Sequence, residues 1–300
     1  MHLKNTAPHL AQLHLPHASL SGLIFMAVER NTLGHCFNDK QRFNYYPASP
    51  FPTISWIFEG QLHMVQNGDA TRPQLDPSLP NIIFAGPHDQ PSASWSPSSV
   101  HALTVSFYPE KLSQLFDISM TSYMNQVCPL EAVAPDSWLM IARNLINSMH
   151  NRACNDAFAQ LQENLLNELV HSNQLKAIQQ PTIHHWLRNV LTQTALSPSG
   201  QSMRQTQRRI KQWTGQNRKE LQLYERTERI FEQFSKTPDP INWPALSFES
   251  GCADQSHMGR QVRRVTGHSP QKLQQLILSE EGFWLYRLLE QYHRKDSQNS

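Results

Sequence analysis

The stretch Gly251–Leu273, GCADQSHMGRQVRRVTGHSPQKL, has the pattern of a short basic helix enclosed by two turns. Asp254 is a suitable N-cap, because its carboxylate can accept hydrogen bonds from the free amide groups of the first helical turn. Gly267 can adopt the left-handed conformation that ends a helix, and Pro270 can open the next one. The stretch therefore predicts a helix over Gln255–Val265, then a turn and a second helix.

This predicted helix has one apolar face and one polar, basic side. Met258, Val262 and Val265 repeat at spacings of four and three residues, which places them on one side of a helix. The residues that fall on the other faces include Gln255, Ser256, Gly259, Arg260 and Arg263. Such a helix fits the major groove of DNA, with its early residues at base edges and its later arginines at phosphates.

A weaker copy of the pattern lies 52 residues upstream, where QTQRRIKQWTGQNRKEL (Gln205–Leu221) aligns with HMGRQVRRVTGHSPQKL (His257–Leu273). The copy has a cap, an apolar stripe, basic positions and a closing Thr-Gly pair, which are Ser202, Thr206, Ile210, Trp213, Arg208, Lys211, Thr214 and Gly215. A single basic helix is usually a solvated surface. Two matched copies are much harder to obtain by chance, so they favour a nucleic-acid interface.

The tandem pattern resembles the C-terminal domain of AraC/XylS-type transcription regulators, which grip DNA with two helix-turn-helix units. The resemblance implies recognition helices over Met203–Trp213 and Gln255–Val265 that enter successive major grooves about one helical turn apart. It implies base-edge contacts from six side chains, which are Arg204, Gln207, Arg208, Gln255, Ser256 and Arg260. It also implies phosphate contacts from Lys211 and Arg263. The resemblance implies two macromolecular partners, which are double-stranded DNA and RNA polymerase.

The charge of the chain is divided unequally. Residues 181–300 hold 17 Lys and Arg against 11 Asp and Glu, whereas residues 1–180 hold 9 against 13, within a net charge of +2. A basic C-terminal part beside an acidic N-terminal part suits one domain that binds a polyanion and one that does not.

The N-terminal part has a sequence pattern typical of short strands. Apolar or alternating runs between Pro and Gly residues cover 23–30, 53–60, 61–69, 81–87 and 100–109, and Asn67-Gly68 is a turn signal. This pattern predicts a small β-barrel or sandwich. Five aromatic residues either line a ligand pocket or form plain core, and these are Phe51, Trp56, Phe58, Phe84 and Trp95. Residues 40–120 also resemble the N-terminal domain of some AraC-type regulators, which implies a cupin-like or otherwise β-rich domain that senses a small-molecule effector.

From Asp136 the hydrophobic period becomes helical. One stripe runs through Trp138, Ile141 and Leu145, and a second consists of Phe158, Leu161, Leu165 and Leu169. The second stripe either packs on its own domain or pairs with its twin in a homodimer. The predicted fold is therefore α+β, with a β-rich effector-sensing domain at 1–135, a helical linker or dimerisation region at 136–180, and an all-α domain with two helix-turn-helix units at 181–300.

No pattern points to an enzyme, a metal site or a cofactor. His63, His88 and His101 lack the paired spacing of metal ligands, and the four cysteines contain no CxxC pair. Neither a Gly-rich phosphate loop nor a Gly-x-Ser-x-Gly elbow is present. The sequence shows no secretory signal and no apolar run near the ~18 residues of a membrane span. We therefore expect a cytoplasmic protein with no membrane partner.

These observations lead to two hypotheses of function. The first is a sequence-specific DNA-binding transcription regulator that is controlled by an effector and has no catalytic residues. The second is a ligand-binding protein whose DNA-binding domain is degenerate. The second hypothesis is favoured by three departures from the family pattern, at Thr206, Arg218 and Gly259.

Overall fold

The computed structural model describes residues 10–66, 73–151, 156–169, 182–196, 202–236 and 242–298. The chain builds a β-rich N-terminal region first and a helical C-terminal region second, which confirms the predicted α+β fold class. The predicted turn at Asn67-Gly68 and the predicted boundary between 180 and 181 lie outside the described residues.

The strands form two antiparallel sheets. The strands are β1 (Ala11–His14), β2 (Ile24–Asn31), β3 (Phe43–Tyr46), β4 (Thr53–Glu59), β5 (His63–Val65), β6 (Leu75–Ser78), β7 (Ile82–Ala85), β8 (Ser92–Trp95), β9 (His101–Phe107) and β10 (Val127–Pro129). One sheet has six strands in the order β1-β2-β9-β4-β7-β10, and the other has four in the order β3-β8-β5-β6. Alternation in β9 buries Leu103, Val105 and Phe107, as expected for a strand with one face in a core.

The first α-helix follows β9, and the other α-helices follow β10. The helices are α1 (Pro109–Phe116), α2 (Asp136–His150), α3 (Ala157–Leu169), α4 (Ile183–Leu196), α5 (Met203–Thr214), α6 (Arg218–Lys236), α7 (Trp243–Glu249), α8 (Gln255–Thr266), α9 (Pro270–Ser279) and α10 (Trp284–Gln298). In the described part of the chain, no helix combines the length and the apolar character needed to cross a membrane.

The six-stranded sheet, α2 and α3 share one hydrophobic core. The indole N–H of Trp56 in β4 donates to the carbonyl oxygen of Ala142 in α2 at 3.2 Å. Phe158, Leu161 and Leu165 are at most 3% exposed in this core. These three residues of the second apolar stripe therefore pack in the β-rich core and are not available to a twin helix. Burial of the fourth residue, Leu169, lies outside the described side chains.

A second core joins the β-rich region to the helical region. The ring of Phe51 lies 4.1 Å from that of Phe25 and 4.9 Å from that of Trp186 in α4, measured between centroids. The indole N–H of Trp186 donates to the buried carboxylate of Glu110 in α1 at 2.9 Å. Burial raises the pKa of Glu110, and the indole donor opposes that rise. This contact fixes α4 against the start of α1.

The last helix is attached to the sheets as well. The indole N–H of Trp284 donates to the side-chain oxygen of Asn44 in β3 at 2.8 Å. Arg30 in β2 forms an ion pair with Glu281 at 2.6 Å, and Arg287 pairs with the same carboxylate at 2.9 Å. Both ends of the helical region are therefore joined to the β-rich region.

Alanine substitution at two glycines is expected to change the free energy of unfolding in opposite directions. A Cβ at Gly86 would lie 1.9 Å from the carbonyl oxygen of Tyr123, so a backbone segment must move to accept it. We expect Gly86→Ala to lower the free energy of unfolding by about 1–3 kcal/mol, as overpacking does elsewhere. Urea denaturation followed by circular dichroism measures this change, and an unchanged midpoint would contradict it.

The matched change at Gly259 is expected to act in the opposite direction. Gly259 lies inside α8, and a Cβ there meets no neighbouring group within 4 Å. Alanine restricts the unfolded chain and suits a helix better, so Gly259→Ala should raise the free energy of unfolding by roughly 0.5–1 kcal/mol. The same denaturation experiment tests this increase.

Candidate DNA-binding surface and interdomain cavity

The two predicted recognition helices begin in the same way. The Ser202 hydroxyl accepts a hydrogen bond from the amide of Gln205 at the start of α5, at 3.2 Å. The Asp254 carboxylate accepts one from the amide of His257 at the start of α8, at 2.6 Å. Both predicted N-caps are therefore confirmed, and each satisfies an amide that has no partner within its helix.

The two helices also end in the same way. Gly215 and Gly267 have φ values of 76° and 79°, in the left-handed region that glycine enters without a Cβ clash. The hydroxyls of Thr214 and Thr266 donate to the carbonyl four residues earlier at 2.7 and 2.8 Å. They also accept from the amide two residues later at 3.3 and 3.2 Å. The 52-residue repeat in the sequence is thus a repeat of local structure.

The apolar stripe of α5 is less completely buried than that of α8. Met258, Val262 and Val265 are at most 4% exposed in α8. In α5, Ile210 is buried, whereas Thr206 and Trp213 are half-buried. Because Thr206 is small and only half-buried, α5 buries less apolar surface than α8 does. The helix still forms.

The departure at Arg218 is compensated by its neighbour. Pro270 occupies the first turn of α9, and at the matching position Arg218 begins α6. Asn217 supplies a cap there, because its side-chain oxygen accepts from the amide of Glu220 at 3.1 Å. The Glu220 carboxylate in turn accepts from the amide of Asn217 at 2.7 Å. This reciprocal capping box replaces the proline.

The residues predicted to contact DNA are all exposed on α5 and α8, and they are Arg204, Gln207, Arg208, Lys211, Gln255, Ser256, Arg260 and Arg263. None of the five cationic side chains among them forms an ion pair with another described residue. Their charges are thus available to phosphates or base edges.

A cavity of about 300 Å³ lies where the β-rich and helical regions meet. Its walls come from strands of both sheets and from α4, α6, α8 and α10. Most of the lining is apolar, and its aromatic members include Phe25, Phe51, Phe231 and Trp284. A cavity of this size and character suits a small, largely apolar molecule.

Only one of the five aromatic residues considered for a ligand pocket lines the cavity, and this residue is Phe51. Trp56, Phe58 and Phe84 belong to the core beneath α2 and α3. Trp95 packs beside β3 and β5. Sequence reasoning also missed the helical wall of the cavity, because its residues lie far from the strands in the chain and no local pattern places them together.

Most polar groups around the cavity have partners within the protein. The Tyr46 and Ser94 hydroxyls are 3.0 Å apart, and the Tyr224 hydroxyl donates to the carbonyl oxygen of His88 at 3.0 Å. The Nε of Arg30 is buried and has no hydrogen-bond partner among the described residues. The guanidinium also lies 5.2 Å from the centroid of the Trp284 ring. Arg30 therefore contributes a buried guanidinium to the wall, and its charge is paired with Glu281.

The histidines considered as metal ligands do not converge. His63 contacts the carbonyl of Asp76 at 2.9 Å, and His88 contacts that of Gly86 at 2.6 Å. His101 lies 2.7 Å from the carboxylate of Glu29, and hydrogen bonds from His101 and His14 lower the pKa of Glu29 to about 2. The described residues contain no cluster of three His, Cys, Asp or Glu side chains that could hold a metal ion.

Glu228 in α6 is a buried carboxyl in the cavity wall. It accepts hydrogen bonds from the amide of Ile183, the first residue of α4, at 3.0 and 3.2 Å. Burial raises its pKa to about 7, although these backbone donors favour the charged form. The carboxyl therefore links the start of α4 to α6 and changes its charge near neutral pH.

The raised pKa of Glu228 makes stability depend on pH. Because the folded state holds the proton more tightly than the unfolded chain does, its contribution is complete below about pH 4.5 and is lost as pH rises through about 7. We expect Glu228→Gln, which keeps an acceptor for Ile183, to reduce the fall in unfolding free energy over this range by up to ~3 kcal/mol. Denaturant titrations at several pH values measure this difference.

Glu249→Gln is the control for this experiment, because Glu249 is an exposed carboxylate of α7 that does not contribute to the shift at Glu228. The control should keep the wild-type pH dependence. Identical pH profiles for Glu228→Gln and the wild type would show that the Glu228 carboxyl does not titrate in this range.

A scan against protein-family models finds no match for this chain, and a search of curated proteins finds none either. Among solved structures, ToxT from Vibrio cholerae O395 is 9% identical, with 90% of this chain and 99% of that chain covered at a TM-score of 0.36. Unsaturated fatty acid bound wild-type ToxT from Vibrio cholerae strain SCE256 is 11% identical, with 77% and 93% covered at a TM-score of 0.34. At these scores the likeness carries no weight for the function of this chain.

Proposed function

We propose that this chain is a sequence-specific DNA-binding regulator of transcription of the AraC/XylS type. The observation that carries the proposal is the repeat of cap, apolar stripe, Thr-Gly end and exposed cationic residues in α5 and α8. One such helix would be weak support. Two helices that share the same local structure 52 residues apart support a tandem DNA-binding unit.

In this proposal, α5 and α8 enter successive major grooves about one helical turn apart. The early residues of each helix read base edges: Arg204, Gln207 and Arg208 from α5, and Gln255, Ser256 and Arg260 from α8. Lys211 and Arg263 lie one turn further along and contact phosphates. Arginine suits guanine because its two parallel N–H groups match the two acceptors of that base.

We further propose that the cavity between the regions holds the effector. The effector would be small and largely apolar, since the lining is apolar and most of its polar groups are already paired. The division into 1–135, 136–180 and 181–300 is part of the same proposal, with α2 and α3 belonging by their packing to the β-rich core. A regulator of this kind acts in the cytoplasm, beside RNA polymerase, and a homodimer would need a surface other than the buried stripe of α3.

The alternative of a degenerate DNA-binding domain was favoured by the departures at Thr206, Arg218 and Gly259. The described structure weakens it at two of these positions. Asn217 and Glu220 restore the helix start beside Arg218, and Gly259 sits inside a complete helix. Binding of the purified protein to a randomised pool of duplexes decides between the two functions, because only the regulator enriches a sequence motif.

The first prediction for the DNA surface concerns specificity. Arg260→Ala should weaken binding to the selected duplex by about 1–3 kcal/mol and relax selectivity at one base pair, if Arg260 makes a bidentate contact to guanine. Arg143→Ala is the matched control, because Arg143 is an exposed arginine of α2 in the N-terminal region. Equal weakening on selected and scrambled duplexes would instead make Arg260 a phosphate contact.

The second prediction concerns salt. Lys211→Ala should weaken binding to every duplex by a similar factor and reduce the slope of log K against log salt by about 1, because one phosphate contact is lost. Fluorescence anisotropy at several salt concentrations measures the slope. A slope equal to that of the wild type would remove Lys211 from the set of phosphate contacts.

A further inference from the structure

The β-rich region contacts the C-terminal end of α5 directly. The hydroxyl of Thr121 donates to the carbonyl oxygen of Lys211 at 2.8 Å. The hydroxyl of Ser119 donates to that of Gln212 at 3.4 Å. Both donors lie between α1 and β10, about ninety positions earlier in the chain. The Lys211 carbonyl also accepts from the amide of Gly215 at 2.8 Å. Thr121 therefore adds a second donor to this carbonyl, and Ser119 supplies a donor for that of Gln212.

Close packing reinforces this attachment. A Cβ built at Gly215 would lie 2.4 Å from the sulfur of Met124 and 3.2 Å from the carbonyl oxygen of Met120. The segment around Met124 therefore lies directly against the turn that ends α5. The left-handed φ of 76° favours glycine there, and a Cβ would also displace the Met124 side chain.

The β-rich region also contacts the C-terminal end of α8, through a different segment. The amide of Ala48, which lies between β3 and β4, donates to the carbonyl oxygen of Val265 at 2.7 Å. The side chains of Ala48 and Val265 pack together with those of Leu223 and Tyr224. The last turn of α8 is thus held in the same manner as the last turn of α5.

These contacts have a common physical basis. The last four carbonyls of a helix have no partner within the helix, so they seek donors elsewhere. Here the donors come from Ser119, Thr121 and Ala48, which belong to the same β-rich region. A helix that is held at its C-terminal end leaves its N-terminal half, where the predicted base contacts lie, free to project.

We propose that Thr121, Met124 and Ala48 are positioning residues that set the separation and relative orientation of α5 and α8. The spacing between the two DNA half-elements is then determined partly outside the DNA-binding region. This inference rests on the proposed function, because it concerns how two recognition helices are presented to one duplex.

Spacing-dependent binding by the full-length protein tests the proposal. The two half-elements found by duplex selection are separated by spacers that differ by one base pair, and a duplex with the α8 half-element alone is included. Each added base pair rotates one half-element relative to the other by about 34–36°, so a rigid pair of helices should have a sharp optimum. We expect the wild type to lose roughly tenfold in affinity two base pairs from its optimum, or about 1.4 kcal/mol.

The test variants are Thr121→Val, which removes the hydroxyl with little change of shape, and the double variant Thr121→Val with Met124→Ala. The double variant should bind all spacers within about threefold of one another, or within ~0.7 kcal/mol. Its affinity for the single half-element should remain that of the wild type. Ser122→Ala, in the same turn as Thr121, is the control and should keep the sharp optimum.

The outcomes separate this inference from the proposed function. A double variant with the wild-type spacing profile overturns the positioning role and leaves DNA binding intact. An equal loss on every duplex, including the single half-element, also overturns it, because the residues would then support folding only. A wild type that selects no duplex overturns both proposals, and this result is recognisable before any variant is made.

Discussion

The burial of Trp186 is the interaction on which the arrangement of the two regions depends. Its ring packs against Phe51 from the β-rich region, and its N–H meets the buried Glu110 carboxylate. Loss of this donor would leave a buried carboxylate less well satisfied, so one side chain supplies both an aromatic contact and a hydrogen bond across the two regions. With α4 fixed in this way, Glu228 holds the first residue of α4 against α6. Helix α6 in turn packs against both α5 and α8, so its position determines theirs.

Helices α5 and α8 show how one local structure can be built with different residues. The Thr-Gly ends of α5 and α8 agree in hydrogen bonds and in φ. The element after the turn differs, since one copy uses a proline and the other uses the Asn217–Glu220 pair. Both solutions satisfy the same unpaired amides at a helix start. A departure from the family pattern at one position is therefore weak support for lost function when a neighbour supplies the same hydrogen bonds.

Local chemistry was predictable from the sequence, and long-range contacts were not. The caps at Ser202 and Asp254 were predicted because a side chain and an amide three residues later are enough to form them. The Trp186–Glu110 contact joins positions 76 apart, and nothing in the hydrophobic period of α4 specifies which surface it meets. The cavity was not predicted for the same reason. Its wall combines strand residues with residues of α6 and α10, and no local sequence pattern specifies that these elements meet. The eight DNA-contact residues remain predictions, supported by exposure and helix position.

The cavity borders one of the two helix attachments and not the other. Ala48 and Val265 belong to its wall, whereas Thr121 and Met124 do not. A bound effector would therefore contact the α8 attachment directly and would reach α5 only through other elements, such as α6. Thermodynamic linkage then demands reciprocity: a duplex that fits the effector-bound arrangement must tighten effector binding by the same factor by which the effector tightens DNA binding. Effector affinity would thus depend on the operator to which the protein is bound, so one cell could contain regulator molecules of differing sensitivity.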